Sequence, residues 1–308
     1  MPQATVLSSI GNTPLIELRR LRPRGGARVL VKCEGGNPTG SMKDRMALAM
    51  VEGVRREGRL APGQRVVELT GGSTGASLAL VCSALGHPLS IVTSDAVARE
   101  KIDMTRALGA EVEVLKTPEG KVHPGLVPQM RARVEEIAKQ TGAFWTDQFN
   151  NRHQLDGYAP LAQEVLRSCP GLTHFVQMVG TAGSSMGVSR ELKRSNHPAR
   201  MTLVEPSSSP WLSEGRGGSH GVEGTAGVAR PPLLDRALYD DVMAIDEQEG
   251  RDMARRLARE EGIFAGTSTG LNAAAALRLA ASLPESAAVV TIAVDSGLKY
   301  LAGDLYRS

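Results

Sequence analysis

Residues 35–50 have the sequence GGNPTGSMKDRMALAM, which places one lysine, Lys43, between a Gly/Asn/Pro/Thr turn and a run of helical apolar periodicity. The amino end of a helix favours anions, because the aligned backbone dipoles leave partial positive charge there. A lysine at this place is therefore either an ordinary solvated side chain or an amine kept for its chemistry. Other motifs in the sequence are needed to distinguish these two hypotheses.

Composition narrows the class of protein. The 308 residues, 41% hydrophobic and 22% charged, are typical of a globular protein with one large or two medium domains. A net charge of +3 is too small to indicate nucleic acid or an anionic membrane as partner, and no apolar run has the length of a membrane span. The three cysteines lie far apart, so we expect neither a disulfide framework nor a metal site. The first residues lack the pattern of a signal peptide, and we expect a cytoplasmic protein.

Short β-branched runs alternate with runs of helical period along the chain. The patterns predict strands at 28–33, 65–69, 89–93, 111–115, 174–179, 201–205, 241–245 and 288–294, and helices at 42–57, 74–85, 98–108, 126–140, 156–168, 184–194, 247–261, 268–282 and 297–306. This order predicts an α/β fold of parallel βαβ units, with sheets covered on both faces. The irregular stretch 206–232 is too long for an ordinary connection, which favours a functional loop.

Two predicted strand-to-helix turns are rich in glycine. Residues 70–75 (TGGSTG) follow one strand, and residues 180–184 (GTAGS) follow another. Such turns present backbone N–H groups at the positive end of a helix and can bind phosphate or carboxylate. The alternative is that each turn only caps its helix and binds no ligand. A third turn, 295-DSG-297, is better suited to capping.

Neither the stretch before Lys43 nor the turn at 180–187 matches a common nucleotide-binding motif. Lys43 is three residues past Gly40, whereas the P-loop lysine directly follows its glycine. Residues 180–187 miss the G-x-G-x-x-G spacing of dinucleotide-binding turns, although Glu205 ends the next strand at a suitable distance. A nicotinamide-binding oxidoreductase therefore stays open as a distant alternative.

A lone lysine together with two anion-binding turns indicates a specific chemistry. A lysine amine forms a Schiff base with an aldehyde, and the aldehyde cofactor that carries a phosphate is pyridoxal phosphate. The first turn would then hold the carboxylate of an amino-acid substrate, and the second the phosphate of the cofactor. A helix start that disfavours the ammonium form of Lys43 assists this role.

At this point the chain resembles a known family, the cysteine synthase (O-acetylserine sulfhydrylase) group of cystathionine β-synthase-like, fold-type II pyridoxal-phosphate enzymes in the tryptophan synthase β-like superfamily. The resemblance rests on 10-IGNTPLIEL-18, 36-GNPTGSMKDR-45, 180-GTAGS-184, 261-EGIFAGTSTG-270 and 296-SGLKYL-301. It implies two three-layer αβα domains with mostly parallel twisted sheets, and a homodimer. Residues 1–148 would carry the lysine and the carboxylate turn, with a segment near 12–35 packed on the other domain, and residues 149–308 would carry the phosphate turn.

The resemblance also implies a role for each site residue. Lys43 corresponds to the Schiff-base lysine, which later moves the α-proton of the substrate. The implied cofactor-binding residues are Lys43, Ser73, Gly180, Thr181, Ala182, Gly183, Ser184 and Ser296, the last on the pyridine nitrogen. The implied substrate-binding residues are Thr70, Gly71, Gly72, Ser73, Thr74, Gln148 and Gly224.

The implied reaction is β-replacement on an O-activated L-serine, O-acetylserine or O-phosphoserine, through an aminoacrylate. Addition of sulfide would give L-cysteine. Two turns depart from the family pattern, because Ser73 replaces the asparagine of TSGNTG, and Ala182 and Ser184 replace Gly and Thr of GTGGT. Ser73 is shorter and lacks the carboxamide, so a different nucleophile, such as homocysteine or an amine, stays open. The product would then be cystathionine or a non-protein amino acid.

Overall fold

The computed structural model describes residues 5–118, 125–225 and 230–307, and the chain divides into two compact units. The first unit contains Met1–Ile10 and Lys43–Gly157, and the second contains Gly11–Met42 and Tyr158–Ser308. The strands are β1 Leu15–Glu17, β2 Arg28–Cys33, β3 Val66–Leu69, β4 Leu89–Ser94, β5 Glu111–Leu115, β6 Phe144–Trp145, β7 His174–Met178, β8 Arg200–Pro206, β9 Asp241–Ile245 and β10 Ala288–Ala293. The helices are α1 Lys43–Arg56, α2 Ser73–Leu85, α3 Arg99–Ala107, α4 Leu126–Thr141, α5 His153–Ser168, α6 Gly183–Arg194, α7 Trp211–Glu214, α8 Glu247–Arg256 and α9 Thr267–Ala281.

The first unit is built on a four-stranded parallel sheet in the order β5-β4-β3-β6. Strands β3 and β4 are buried along their whole length, which explains their nearly continuous apolar sequences. Val67, Leu69 and Val92 pack with Met130 and Val134 of α4 in one core cluster. This packing fixes the carboxyl end of β3, and it therefore also fixes where the following turn begins.

The second unit is built on a six-stranded sheet in the order β1-β2-β10-β7-β8-β9, in which only the β1–β2 pair is antiparallel. The alanine-rich helix α9 is almost completely buried and packs against β10 and β7, because its small side chains allow close approach to the sheet. Helix α8 has a different character, since the Asp246 side chain accepts hydrogen bonds from the first amides and the last turn carries arginines.

The chain passes from one unit to the other within α5, after the limit of 148 that the sequence predicts for the first domain. The first turn of α5 packs tightly on α1: a Cβ at Gly157 would lie 2.5 Å from the Arg45 carbonyl oxygen and 2.8 Å from the Ala49 Cβ. This close approach explains why the start of α5 belongs to the first unit. Strand β2, within the early segment 12–35, pairs with β10 of the second unit.

The predicted fold class, an α/β fold with mostly parallel sheets, is confirmed. The helix predicted at 297–306 is wrong, because only Gly297–Tyr300 form a 3-10 turn and bends follow it. The irregular stretch 206–232 contains the one-turn helix α7, and its residues 226–229 lie outside the described part of the chain. Across the described ranges, no helix combines the length and apolar character needed to cross a membrane.

Candidate active site

The predicted carboxylate turn connects β3 to α2. The N-cap residue of α2 is Gly72, an extended residue that has no side chain to accept a hydrogen bond from the first helical amides. The Thr70 hydroxyl accepts a hydrogen bond from the Gly72 N–H at 3.1 Å and so shapes the turn. Ser73 and Thr74 are buried at the first two helical positions. A helix start with this geometry provides backbone donors and a positive dipole end for an anion.

Gln148 fastens this turn from the side. Its Nε2 donates to the Leu69 carbonyl oxygen at 2.8 Å, and its Oε1 accepts a hydrogen bond from the Thr74 hydroxyl at 2.9 Å. Gln148 is 6% exposed, so both bonds lie in a region of low dielectric. The structure therefore brings together Thr74 and Gln148, two of the residues that the sequence predicts as substrate-binding.

Glu68 is a buried acid that the sequence analysis did not single out. It lies in β3, directly before Leu69, and its carboxylate accepts hydrogen bonds from the Trp145–Gln148 segment. Burial raises the pKa of Glu68 to about 7, and the hydrogen bonds that it accepts act in the opposite direction. The only signal in the sequence is a single acid inside the apolar strand Val66–Leu69.

Lys43 is the first residue of α1 and is half-buried. The next residue, Asp44, is completely buried and its Oδ1 accepts a hydrogen bond of 2.6 Å from the Ser77 hydroxyl of α2. This bond joins the first turn of α1 to the start of α2. The amino end of α1, which disfavours a cation, thus contains an acid in the place that the helix dipole favours.

The predicted phosphate turn lies in the second unit, between β7 and α6. Gly180 allows a close approach, since a Cβ at this position would lie 2.3 Å from the Gly224 carbonyl oxygen. Ala182 is the N-cap of α6 and has a left-handed conformation with φ of 67°. The alanine methyl group cannot cap the helix, so no side chain at this position competes for the first amides of α6. This arrangement fits the phosphate group of a cofactor.

Ser184 and Ser296 are two of the three hydroxyl side chains predicted to contact the cofactor from this unit, and the third is Thr181. The Ser184 Oγ accepts a hydrogen bond from Gln177 Nε2 at 2.5 Å, so its own proton can be donated elsewhere. The Ser296 Oγ accepts a 3.3 Å hydrogen bond from the Leu298 N–H, which caps the 3-10 turn that follows β10. Ser296 also retains a proton that it can donate to an acceptor such as a ring nitrogen.

Glu205, on which the oxidoreductase alternative depended, already accepts hydrogen bonds from the protein itself. Its Oε2 accepts a hydrogen bond from the Leu212 N–H at 2.6 Å, and its Oε1 accepts from the Ser213 N–H and hydroxyl at 3.0 and 2.6 Å. The carboxylate caps helix α7, and this role removes the reason for assigning it to a nucleotide ribose.

Comparison with known proteins decides the family. The family model described as "Pyridoxal-phosphate dependent enzyme" matches residues 6–295. The chain belongs to this family. It is 35% identical over 312 residues to a cysteine synthase of Staphylococcus aureus (strain Mu50 / ATCC 700699), covering 99% of this chain and 97% of that protein. It is also 35% identical over 305 residues to the O-ureido-L-serine synthase of Streptomyces lavendulae, covering 98% and 92%.

A solved structure supports the same conclusion. The O-acetylserine sulfhydrylase isoform 3 of Entamoeba histolytica superposes with a TM-score of 0.92 at 30% identity, covering 100% of this chain and 92% of that one. The chain therefore has the fold-type II architecture and is an enzyme that uses pyridoxal phosphate, as the sequence predicts. The nicotinamide alternative is set aside.

Proposed function

We propose that this enzyme catalyses β-replacement on an O-activated L-serine, O-acetylserine or O-phosphoserine, and adds sulfide to give L-cysteine. The observation that carries the proposal is the turn at 70–75, where an uncapped helix start is fastened by Gln148 and can receive a carboxylate. Cysteine synthase and O-ureido-L-serine synthase relatives, each 35% identical to this chain, support this class of reaction.

The proposal assigns a task to each part of the site. Bound pyridoxal phosphate supplies an aldehyde for imine formation and a ring that withdraws electrons from the substrate. Lys43 holds the cofactor covalently and moves the α-proton of the substrate. The turn at 180–184 binds the phosphate with backbone amides and the Ser184 hydroxyl, while Ser296 donates to the ring nitrogen. Gly224, whose carbonyl oxygen lies against Gly180, faces the substrate.

The turn at 70–75 binds the substrate carboxylate, and position 73 influences the second substrate. Ser73 is buried, at 8% exposed, and its side chain is shorter than an asparagine by a carboxamide. A second candidate function follows, in which homocysteine or an amine replaces sulfide as the nucleophile. The O-ureido-L-serine synthase relative favours this candidate, because its name indicates a product other than cysteine.

The cofactor assignment is tested with purified protein loaded with pyridoxal phosphate. We expect a yellow protein, and reduction with borohydride should fix the mass of the cofactor on the peptide that contains Lys43. Lys43→Ala should lose both properties, whereas Lys139→Ala, at an exposed lysine in the last turn of α4, should keep them. A Lys43→Ala protein that still fixes the cofactor on reduction would contradict the assignment.

The substrate assignment is tested by adding O-acetylserine and O-phosphoserine separately, each with sulfide, homocysteine or an amine as the second substrate. Production of cysteine from either serine derivative with sulfide is the expected result. A higher kcat/KM with homocysteine or an amine would select the second candidate. A loaded enzyme that changes neither serine derivative would contradict both candidates.

We also propose that the enzyme acts as a homodimer in the cytoplasm. The first domain would carry Lys43 and the carboxylate turn, and the second would carry the phosphate turn. Sedimentation of the loaded enzyme tests the dimer directly, and a mass of 32.6 kDa, that of one chain, would refute it.

A further inference from the structure

Glu68 is a buried carboxylate, and the four hydrogen-bond donors that it meets in the described part of the chain are all neutral. It is 0% exposed, and it belongs to a strand whose other residues are valine and leucine. Each of its oxygens accepts two hydrogen bonds. Oε1 accepts from the Leu69 N–H at 2.8 Å and from the Trp145 indole N–H at 3.2 Å, and Oε2 accepts from the Thr146 hydroxyl at 2.7 Å and the Gln148 N–H at 2.9 Å.

All four donors are neutral, which makes Glu68 costly for the fold. Moving a charge out of water is unfavourable unless it is paired, and well-packed apolar side chains often stabilise a core as well or better. Stability alone is therefore a poor explanation for an acid in the middle of β3. Its hydrogen bonds do provide a defined geometry, because they use all the acceptor positions of a carboxylate.

The hydrogen bonds of Glu68 are connected through Gln148 to the proposed carboxylate turn at 70–75. Glu68 holds the backbone of Gln148, and the Gln148 side chain in turn holds the Leu69 carbonyl oxygen and the Thr74 hydroxyl. A continuous series of hydrogen bonds thus runs from Glu68 to the first turn of α2. Gln154 supports the same segment, because its Nε2 donates to the Gln148 carbonyl oxygen at 2.6 Å.

We propose that Glu68 is a positioning residue, whose carboxylate fixes the Trp145–Gln148 segment and thereby holds the turn at 70–75 in the geometry that receives the substrate carboxylate. The inference deepens the proposed function and rests on the role given there to this turn. Glu68 acts through Gln148, and no direct contact with the substrate is required.

The test compares Glu68→Gln with Glu191→Gln in the cofactor-loaded enzyme. The glutamine keeps one acceptor oxygen and replaces the other with an amide group, so two of the four bonds to Glu68 are lost. Glu191 is a matched control, because it is also buried, at 4% exposed, but its bonds go to Gln163 and Arg194. We measure kcat and KM for O-acetyl-L-serine and for sulfide, and the absorption of the bound cofactor.

Glu68→Gln should raise the KM for O-acetyl-L-serine by about 10- to 100-fold, the effect of losing one or two buried hydrogen bonds. The KM for sulfide and the cofactor absorption should stay close to wild type, because sulfide attacks a carbon skeleton that is already held covalently. Glu191→Gln should change all these quantities by less than about two-fold. An equal loss for both substrates, or the same loss in Glu191→Gln, would overturn the proposal.

Amide hydrogen exchange provides a readout that does not depend on turnover. The Leu69 N–H bonds to Oε1 and the Gln148 N–H to Oε2, so one of these two amides should exchange faster in Glu68→Gln, and unchanged protection of both would overturn the proposal. If neither serine derivative reacts with the wild type, the proposed function has failed, and titration with L-serine, followed by the cofactor absorption, replaces the KM measurement. Weaker L-serine binding in Glu68→Gln then supports the positioning role, and equal binding refutes it.

If Glu68→Gln does not fold, two milder variants test the same proposal. Trp145→Phe and Thr146→Val each remove one donor and leave the carboxylate in place. Each should raise the KM for O-acetyl-L-serine in the same direction as Glu68→Gln and by a smaller factor. Wild-type KM values in both variants would overturn the proposal.

Discussion

The close approach at the phosphate turn leads to a sharp prediction for Gly180→Ala. The added Cβ would lie 2.3 Å from the Gly224 carbonyl oxygen, whereas atoms in ordinary contact are roughly 3.5 Å apart. The obstacle is a backbone oxygen that no side-chain rotation can remove, so either the turn at 180–184 or the segment around Gly224 has to move. Overpacking of this kind costs about 1–3 kcal/mol in the free energy of unfolding.

The same displacement should weaken the binding of pyridoxal phosphate. The amides of the turn lose their alignment on the phosphate, and one hydrogen bond to a charged group contributes about 1.5–3 kcal/mol. The dissociation constant should therefore rise by about 10- to 100-fold. Urea unfolding of the protein without cofactor measures the first effect, and titration with pyridoxal phosphate measures the second.

Gly171→Ala is the matched control, because Gly171 lies in a loop of the same unit and a Cβ there meets nothing within 4 Å. It should unfold within about 0.5 kcal/mol of wild type and bind the cofactor normally. If Gly180→Ala unfolds and binds like Gly171→Ala, the close approach of Gly180 and Gly224 does not constrain this turn, and the argument is refuted.

Three further predictions concern other parts of the molecule. Lys32 and Glu164 form a buried ion pair of 2.6 Å, so Glu164→Ala should destabilise by about 3–5 kcal/mol in urea unfolding. Lys32→Met combined with Glu164→Leu should recover most of this loss, and a double variant no better than the single one would contradict the reasoning. Burial raises the pKa of Glu68 from 4.5 to about 7, so its contribution to stability is complete below pH 4.5 and decreases by up to roughly 3 kcal/mol as the pH rises through 7. The unfolding free energy of wild type should therefore fall relative to that of Glu68→Gln as the pH rises from 4.5 through 7. A rise over the same range would show that the hydrogen bonds accepted by Glu68 outweigh its burial. Ser73→Asn should lower kcat/KM for homocysteine by about tenfold or more relative to sulfide, because the longer side chain at this buried position of the proposed substrate turn should obstruct the larger nucleophile more than the smaller one. Equal changes for both nucleophiles would exclude this role.

The regular elements were predictable where one pattern extended over a whole element. Strand β3 and helix α2 follow from an apolar run, a glycine turn and a helical period, all local features. Strands β1 and β6 were missed because they have only three and two residues, too few to show a periodic pattern. They are defined by their pairing with β2 and β3, and a short window of sequence does not contain both partners.

The C-terminal segment shows how a correct pattern gives a wrong element. Leu298, Leu301 and Leu305 have a helical spacing, yet Leu298 is 67% exposed and Leu301 is 52% exposed. Tyr300 instead is buried, and its hydroxyl donates to the Asp295 carboxylate at 3.0 Å. Tyr300, Leu305 and Tyr306 pack in one cluster with Ala254, and Arg255 donates to the Leu305 carbonyl oxygen. The segment is therefore held by contacts with residues about 50 positions earlier, which no local periodicity encodes.

The candidate site divides in the same way. Lys43 and the two glycine turns were predicted from residue types and spacing, since each lies at a strand or helix end that the local pattern defines. The bonds of Glu68 and Thr74 to the Trp145–Gln148 segment join residues more than 70 positions apart. These contacts depend on the pairing of β3 with β6, which brings the two segments together and which the sequence did not predict.

The direction of one hydrogen bond changes the interpretation of the carboxylate turn. The Thr74 hydroxyl donates to Gln148 Oε1 at 2.9 Å, and a hydroxyl has a single proton. Thr74 therefore has only lone pairs to offer, which a substrate carboxylate cannot use. The donors left for the proposed carboxylate are the backbone amides at the start of α2 and the Thr70 hydroxyl, which accepts from the Gly72 N–H and keeps its own proton. Under the proposed function, a substitution at position 73 can then alter the choice of nucleophile while the backbone donors for the substrate carboxylate are kept.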